Sequence, residues 1–449
     1  MYLFSNLQIT KSGFLSFLLS LIPLSFVAGN MIININIILL ILFTLILFGK
    51  NMFRIKYYFL DYFIFAFFFL ILLTGIINDF YFFSIKLAWK GYFATIAKSL
   101  FFLKYLFLYL AIRFLIEREI LQLKLFFISC AVASIFVCFD IFYQFFNGKD
   151  IFGFVAVKNK LAGPFGDELI AGGFIQRFSI FSFFIIPFFY SKKLLKYAKY
   201  LIPVLFIIFL LGIILSGNRM PLLLFIFSIL LITLFQKQAR KFFIPFAFLL
   251  ALTSFLIFSF NPSIKNYYDS FYFQITKITA HIINKDFDNE KVPQHINEFV
   301  TFYDTWLMHK YIGGGIKNFR YYCHHRKNSD HNWFIKNNNI DKNSTFICNM
   351  HPHNYYLEIL TETGLIGFAI ILSIFITTLY LTFFKKYFSR PSVQFNNIII
   401  PFLFLFIAEI FPLKSTGSFF TTGNTTYLFL IMAILIALAR KDISIENKV

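Results

Sequence analysis

Unbroken apolar runs recur along this chain, each about 20 residues long, the length of helix that crosses the hydrocarbon core of a bilayer. They fall near 13–29, 32–49, 58–77, 99–116, 124–146, 172–190, 197–215, 219–235, 242–260, 365–384, 397–413 and 420–439. Inside a bilayer every backbone N–H and C=O must be satisfied within the segment, so such runs resolve into helices. The expected fold class is all-α, a polytopic integral membrane protein with about twelve transmembrane helices. Composition excludes a soluble globular chain, since 59% of the 449 residues are hydrophobic and only 14% are charged. The 71 Phe accompany abundant Ile, Asn and Lys and scarce Ala, as an AT-rich coding sequence produces, and they carry no functional weight. Lys11 before the first run and Val27-Ala28-Gly29 after it resemble a signal peptide. The runs that follow favour an uncleaved first helix.

Basic residues mark every second connection: Lys50, Arg54 and Lys56; Arg118 and Lys124; Lys192, Lys193, Lys196 and Lys199; Lys237, Arg240 and Lys241; Lys385, Lys386 and Arg390; then Arg440 and Lys441. The connections at 30–31 and 216–218 have no Lys or Arg, and 414–419 has only Lys414. By the positive-inside rule the basic connections and both termini belong in the cytoplasm. Much of the net charge of +20 is then a topology signal, and it requires no nucleic-acid partner.

Three outward segments are long: 78–98, 147–171 and 261–356. The last divides the chain into an N-terminal membrane part (1–260), a large outward loop (261–356) between the ninth and tenth spans, and a C-terminal membrane part (357–449). All eight histidines, His281, His295, His309, His324, His325, His331, His351 and His353, lie in this loop with Trp306 and Trp333. Outside a bacterial inner membrane the compartment is oxidising, so Cys323 and Cys348 are placed to form a disulfide, a pair of free thiols being the alternative. Cys130 and Cys138 lie in an apolar run and read as packing residues. The spacings His324-His325 and His351-x-His353 match no zinc motif, and no metal site is expected.

Residues 261–292 show no clear pattern. From His295 to His309, Phe299, Phe302, Tyr303, Trp306 and Leu307 recur at helical spacing, which predicts an amphipathic helix. It stops at Gly313-Gly314-Gly315, a turn whose N–H groups could cradle an anion or simply end the helix. The stretch HPHNYYLEILTETGLIGF, 351–368, reads as loop and then helix, with His353 or Asn354 as the cap. Asn354, Glu358 and Glu362 share one helical stripe, and His353 stands about 14 Å before Glu362 along the axis, near the outer membrane surface. Arg219 follows the short turn Ser216-Gly217-Asn218 beside lipid with no acidic neighbour in sequence, where a charge marks function unless it snorkels. Lys160, Asp167, Glu168 and Arg177 lie at another outer boundary, and Arg177, about one turn into its helix, needs a partner.

Together SGNRMPLL, GGGIKNFRYYC and HPHNYYLEILTETGLIGF, separated by spans and a large outward loop, resemble the O-antigen ligase and Wzy-type polymerase superfamily over most of the chain. The resemblance implies a bacterial inner-membrane enzyme with a periplasmic active site. It would move a glycan from undecaprenyl diphosphate to a hydroxyl acceptor, either lipid A-core or another lipid-linked glycan, with no cofactor, metal or nucleotide sugar. The family's histidine falls on His353 and its arginine on Arg219. A loop arginine common in the family has no counterpart within 295–305, leaving His295, Lys317 or Arg320 as substitutes. Arg219, with Arg177 or Arg320, would clamp the diphosphate, and His353 would act as general base, while Glu358 or Glu362 would orient it or hold the acceptor. Displacement would invert the anomeric centre. Ligase and polymerase remain open to each other, and a lipid-linked glycan transporter is the alternative from another class. A transporter would need buried charges near the midplane, for which Asp140 is the main candidate.

Overall fold

The computed structural model describes residues 10–81, 94–156, 160–190, 192–236, 239–284, 294–323, 348, 352–388, 398–415 and 417–446. The first part holds α1 (Lys11–Ala28), α2 (Asn30–Phe48), α3 (Phe59–Tyr81), α4 (Ala94–Glu117), α5 (Leu123–Asn147), α6 (Ala171–Phe189), α7 (Lys192–Leu215), α8 (Arg219–Phe235) and α9 (Phe243–Phe260). Then come α10 (Pro262–Asn284), α11 (Gln294–Met308), α12 (Tyr355–Leu379), α13 (Ile399–Glu409) and α14 (Thr422–Glu446). Each apolar run of the sequence overlaps one of these helices, although the run 397–413 is helical only over Ile399–Glu409, and no strand occurs among the described residues. The chain is an all-α, multi-pass membrane protein. Nine helices among the described residues are long and apolar enough to span alone, α9 and α10 form a pair bent by 114°, and α8 and α13 are shorter.

The span of α14 is the most enclosed, with 78% of its residues buried. It packs along α4 and α13, while α12 lies on α3 and α1 lies between α2 and α5. Lipid is as apolar as leucine, so helices associate by close packing and polar contacts rather than by the hydrophobic effect. Phenylalanine edges supply much of that packing: Phe181 sits 4.9 Å from Phe402, 5.3 Å from Phe126 and 5.0 Å from Phe127, between ring centroids.

At the ends marked by basic connections, Asp61 joins α3, α4 and α14. Its carboxylate meets Arg113 at 2.5 Å and Arg440 at 3.1 Å, and accepts from the Tyr109 hydroxyl at 2.6 Å. Arg113 also reaches Glu117 at 2.7 Å. Arg440, counted from sequence as a topology marker, is therefore turned into the bundle, because a buried carboxylate requires countercharge. Asp140, on which the transporter reading drew, accepts from the Ile151 N–H at 2.8 Å and fastens the loop after α5.

The stretch 261–292, patternless in sequence, contains a helix. Asn261 accepts from the Ile264 N–H at 3.1 Å and Pro262 occupies the first helical position, a start signal in which the missing proline N–H costs nothing.

Candidate functional site

The start of α12 is built on Asn354. Its extended backbone lets Oδ1 accept from the N–H groups of Tyr356 at 2.9 Å and Leu357 at 3.2 Å, capping donors that have no partner within the helix. The amide nitrogen, facing the other way, donates to the carbonyls of Pro412 at 2.8 Å and Lys414 at 3.4 Å. An aspartate could cap but could not make this second grip. His353, one residue earlier, is half-buried and has φ +53°, a left-handed conformation uncommon outside glycine and concentrated at functional turns.

Ten residues on, α12 breaks at Gly364, φ +67° and ψ −171°. A continuous helix would donate from Leu365 to Thr361 and from Ile366 to Glu362. Here Leu365 and Ile366 donate instead to the carbonyls of Lys310 at 2.8 Å and Tyr311 at 3.1 Å, while Thr361 and Glu362 accept from Gly314 at 3.0 Å and Gly315 at 2.8 Å. The turn after α11 is thus threaded into the break. A Cβ on Gly313 would collide with the backbone of Glu362, and one on Gly364 with that of Tyr311, so glycine is required on both sides. This corrects the anion-cradle reading of the three glycines. Gly313 donates to His309 at 2.9 Å and the other two to α12, which commits all three N–H groups to the protein.

The stripe Asn354, Glu358 and Glu362 holds three neighbouring segments. Glu358 accepts from Ser418 Oγ and the Phe419 N–H, both at 2.5 Å. Glu362 accepts from the Lys317 N–H at 2.6 Å. The turn is fixed from its other side by Asn78, which donates to the Gly313 carbonyl at 3.3 Å and accepts from Tyr322 at 2.7 Å. Lys98 reaches the Lys317 carbonyl at 3.3 Å. Just beyond, Cys323 and Cys348 are joined in a disulfide.

Arg177, expected as a diphosphate contact, has its guanidinium against Glu409 at 2.8 Å, Asn424 Oδ1 at 2.6 Å and the Tyr355 hydroxyl at 3.3 Å. Lys414 Nζ shares the same Glu409 oxygen at 2.5 Å and lies 3.0 Å from the Tyr355 hydroxyl. The partner that Arg177 needed was Glu409, and their pairing turns the arginine into the bundle. Glu409 and Lys414 were legible only as a single acid in an apolar run and a single base in an outer connection. An acid in such a run is a site by default.

Arg219 has different company. It donates to the Tyr267 carbonyl, to Ser270 Oγ at 2.7 Å and to Gln274 Oε1 at 3.4 Å, all on α10. Its guanidinium lies 3.8 Å from the Tyr267 ring centroid, and Lys160 approaches the same ring at 5.8 Å. These hydrogen-bond partners are neutral. Arg219 also begins α8, where the helix dipole adds positive potential. Such a charge is held by an aromatic face and neutral acceptors while its pairing with an anion stays open.

These residues lie at the ends of the bundle away from the basic connections. A Cβ on Gly172 would strike Ser216 and Asn218, so the first turn of α6 touches the turn before Arg219. Arg177 on that helix touches Tyr355, two residues after His353. Lys317 meets the opposite end of the α12 stripe through Glu362. The Nε of Arg320 in the short helix Phe319–Tyr322 is buried and has no hydrogen-bond partner among the described residues. The floor is set by α13, whose 11 residues rise about 16 Å, half the hydrocarbon thickness. Phe411 just past it packs 5.2 Å from Phe227, which is about 12 Å into α8. The connection between α13 and α14 is packed rather than open, with Lys414, Ser418, Phe419 and Phe420 buried and Glu358 holding Ser418 and Phe419. His324, His325, His331 and His351 lie outside the described residues, as does the side chain of His295. Among the described residues no three His, Cys, Asp or Glu side chains are grouped to hold a metal ion.

No curated protein matches the chain. Residues 204–372, which run from within α7 to within α12 and include Arg219, His353 and the glycine turn, match a family model described as O-Antigen ligase.

Proposed function

We propose, from the match of residues 204–372 to the O-antigen ligase model, that this chain is a glycan transferase working at the outer face of a bacterial inner membrane. Its donor is a glycan on undecaprenyl diphosphate and its acceptor is a hydroxyl of lipid A-core, which makes it a ligase. Both substrates join a polar head to a lipid tail. A site at the ends of membrane helices suits them, because tails can lie against α8, α10 and α12 while heads stay in water.

In this reading His353, as neutral imidazole, accepts the proton of the acceptor hydroxyl while that oxygen attacks the anomeric carbon. The bond from that carbon to the diphosphate oxygen breaks, its electron pair leaves with the diphosphate, and the centre inverts. Arg219 binds the departing oxygens and remains charged throughout. Arg320 or Lys317 supplies a second cationic contact, in place of the loop arginine that the 295–305 stretch lacks. Arg177 is a positioning residue that fixes α6 against Tyr355, and Glu358 and Glu362 fix the segments around His353. The observation that carries the proposal is the presence, within the matched domain, of a histidine at φ +53° next to the cap of α12 and of an arginine at the start of α8 that has no carboxylate partner among the described residues.

The test is lipopolysaccharide gel analysis of a deletion strain complemented with wild type, His353→Ala or Arg219→Ala. Both variants are expected in the membrane at normal levels with transfer reduced on the order of a hundredfold or more. Bare core with glycan accumulating on the prenyl carrier identifies the ligase. Core bearing one repeat identifies the polymerase, and wild-type glycan display by both variants ends the reading altogether.

A further inference from the structure

At the end of the bundle opposite the candidate site, α6 and α8 finish and α7 and α9 begin around a cavity of about 230 Å³. α6 leaves α-helical geometry over Ser179–Phe184, and Pro187 follows, so its last turns do not fill the space beside α7. Phe184, Phe188, Ile229 and Phe246 form apolar walls, and the exposed Lys199 and Lys241 stand in the lining. Among the described residues no carboxylate lines it.

We propose that this cavity binds one anionic phospholipid of the leaflet opposite the site, with an acyl chain among the phenylalanines and the phosphate at Lys199 and Lys241. An apolar space in a bilayer offers water too few partners, whereas a lipid chain fits its chemistry. Two lysines in the lining of the same cavity attract a negative headgroup, and basic pockets between helices on the cytoplasmic side are suited to such lipids. The glycan donor is not the occupant. Arg219 begins α8, and Ile229 and Ile232 lie roughly 15–20 Å further along it, so a diphosphate held at Arg219 and a headgroup at the lysines mark different leaflets.

Native mass spectrometry of the full-length protein, given equal phosphatidylglycerol and phosphatidylcholine of matched chains, tests this. Wild type should retain the anionic lipid on the order of tenfold better. Lys199→Glu with Lys241→Glu should abolish that preference, and Ile229→Trp, which fills the cavity, should lower retention of both lipids. Equal retention by wild type, or an undiminished preference in the double variant, overturns the proposal. So does displacement of the phosphatidylglycerol by an equal amount of a polyprenyl phosphate. The two lysines are exposed, so the double variant tests the idea even if the tryptophan variant does not fold.

Discussion

Glu409 shows what a single carboxylate does in an apolar setting. It sits between Arg177 and Lys414 with its side chain 1% exposed, so two cations share one anion in the bundle and one of them is under strain. Burial pushes the Lys414 ammonium down to about 7, against the pull of Glu409 and with the repulsion of Arg177 added. In the unfolded chain a lysine titrates near 10.4, roughly its free value. Between those values the unfolded chain binds more protons, so stability should rise with pH from about 7 towards 10, while below about 7 the cost of the buried charge is fully present. Melting temperatures of detergent-purified protein across that range are expected to climb in wild type and to lose most of the climb in Lys414→Met. An identical profile in both would mean that the ion pair holds Lys414 charged throughout. Tyr355, whose hydroxyl contacts Arg177, Lys414 and Glu409, links this balance to the backbone two residues from His353.

The helices themselves were legible, because bilayer thickness and hydropathy leave little choice at each apolar run. What periodicity could not express were their interruptions. Gly364 lies in a run that reads as continuous helix, and Gly313-Gly314-Gly315 reads equally as a stop or an anion cradle. Only the exchange of four backbone hydrogen bonds between them gives either its meaning. The α10 helix was missed for the opposite reason: its Lys, Asn and Tyr content masked a start signal at Asn261-Pro262. Arg219 and His353 are proposed from their motifs, whereas Glu409 and Lys414 gain their meaning only from Arg177 and Tyr355, which are distant in sequence. The Gly364 exchange makes a direct prediction. At φ +67° and ψ −171° an L-residue is confined to a region nearly exclusive to glycine, at about 1–3 kcal/mol, and the new Cβ would also meet the Tyr311 backbone. Gly364→Ala should therefore lower the melting temperature and transfer together, whereas Gly173→Ala, in the first turn of α6 where a Cβ would meet Pro221 at 3.9 Å, should change both less. Gel-filtration melting curves and glycan display, measured on the same preparations, separate the two.

Across the whole molecule the polar groups divide by end. Asp61, Arg113 and Arg440 tie α3, α4 and α14 where the basic connections lie, and the lined cavity with Lys199 and Lys241 is at the same level. His353, Arg219, Glu409 and the glycine turn occupy the other end. That division is needed if lipid-linked sugar arrives from one side while the anchoring of the bundle stays on the other, and it makes the orientation of the chain decisive for the mechanism. Labelling can read it directly, because Cys130 and Cys138 are buried and Cys323 is bonded to Cys348, leaving a low background for an impermeant maleimide. Met31, 71% exposed in the first turn of α2, belongs on the outer side; Arg54, exposed before α3, belongs on the inner. In cells with a permeabilised outer membrane, Met31→Cys should be labelled at once and Arg54→Cys only after the inner membrane is opened. The reverse pattern would put His353 and Arg219 in the cytoplasm, on the wrong side of the membrane for an outward-facing glycan, and would remove the transferase reading whatever the two site variants showed.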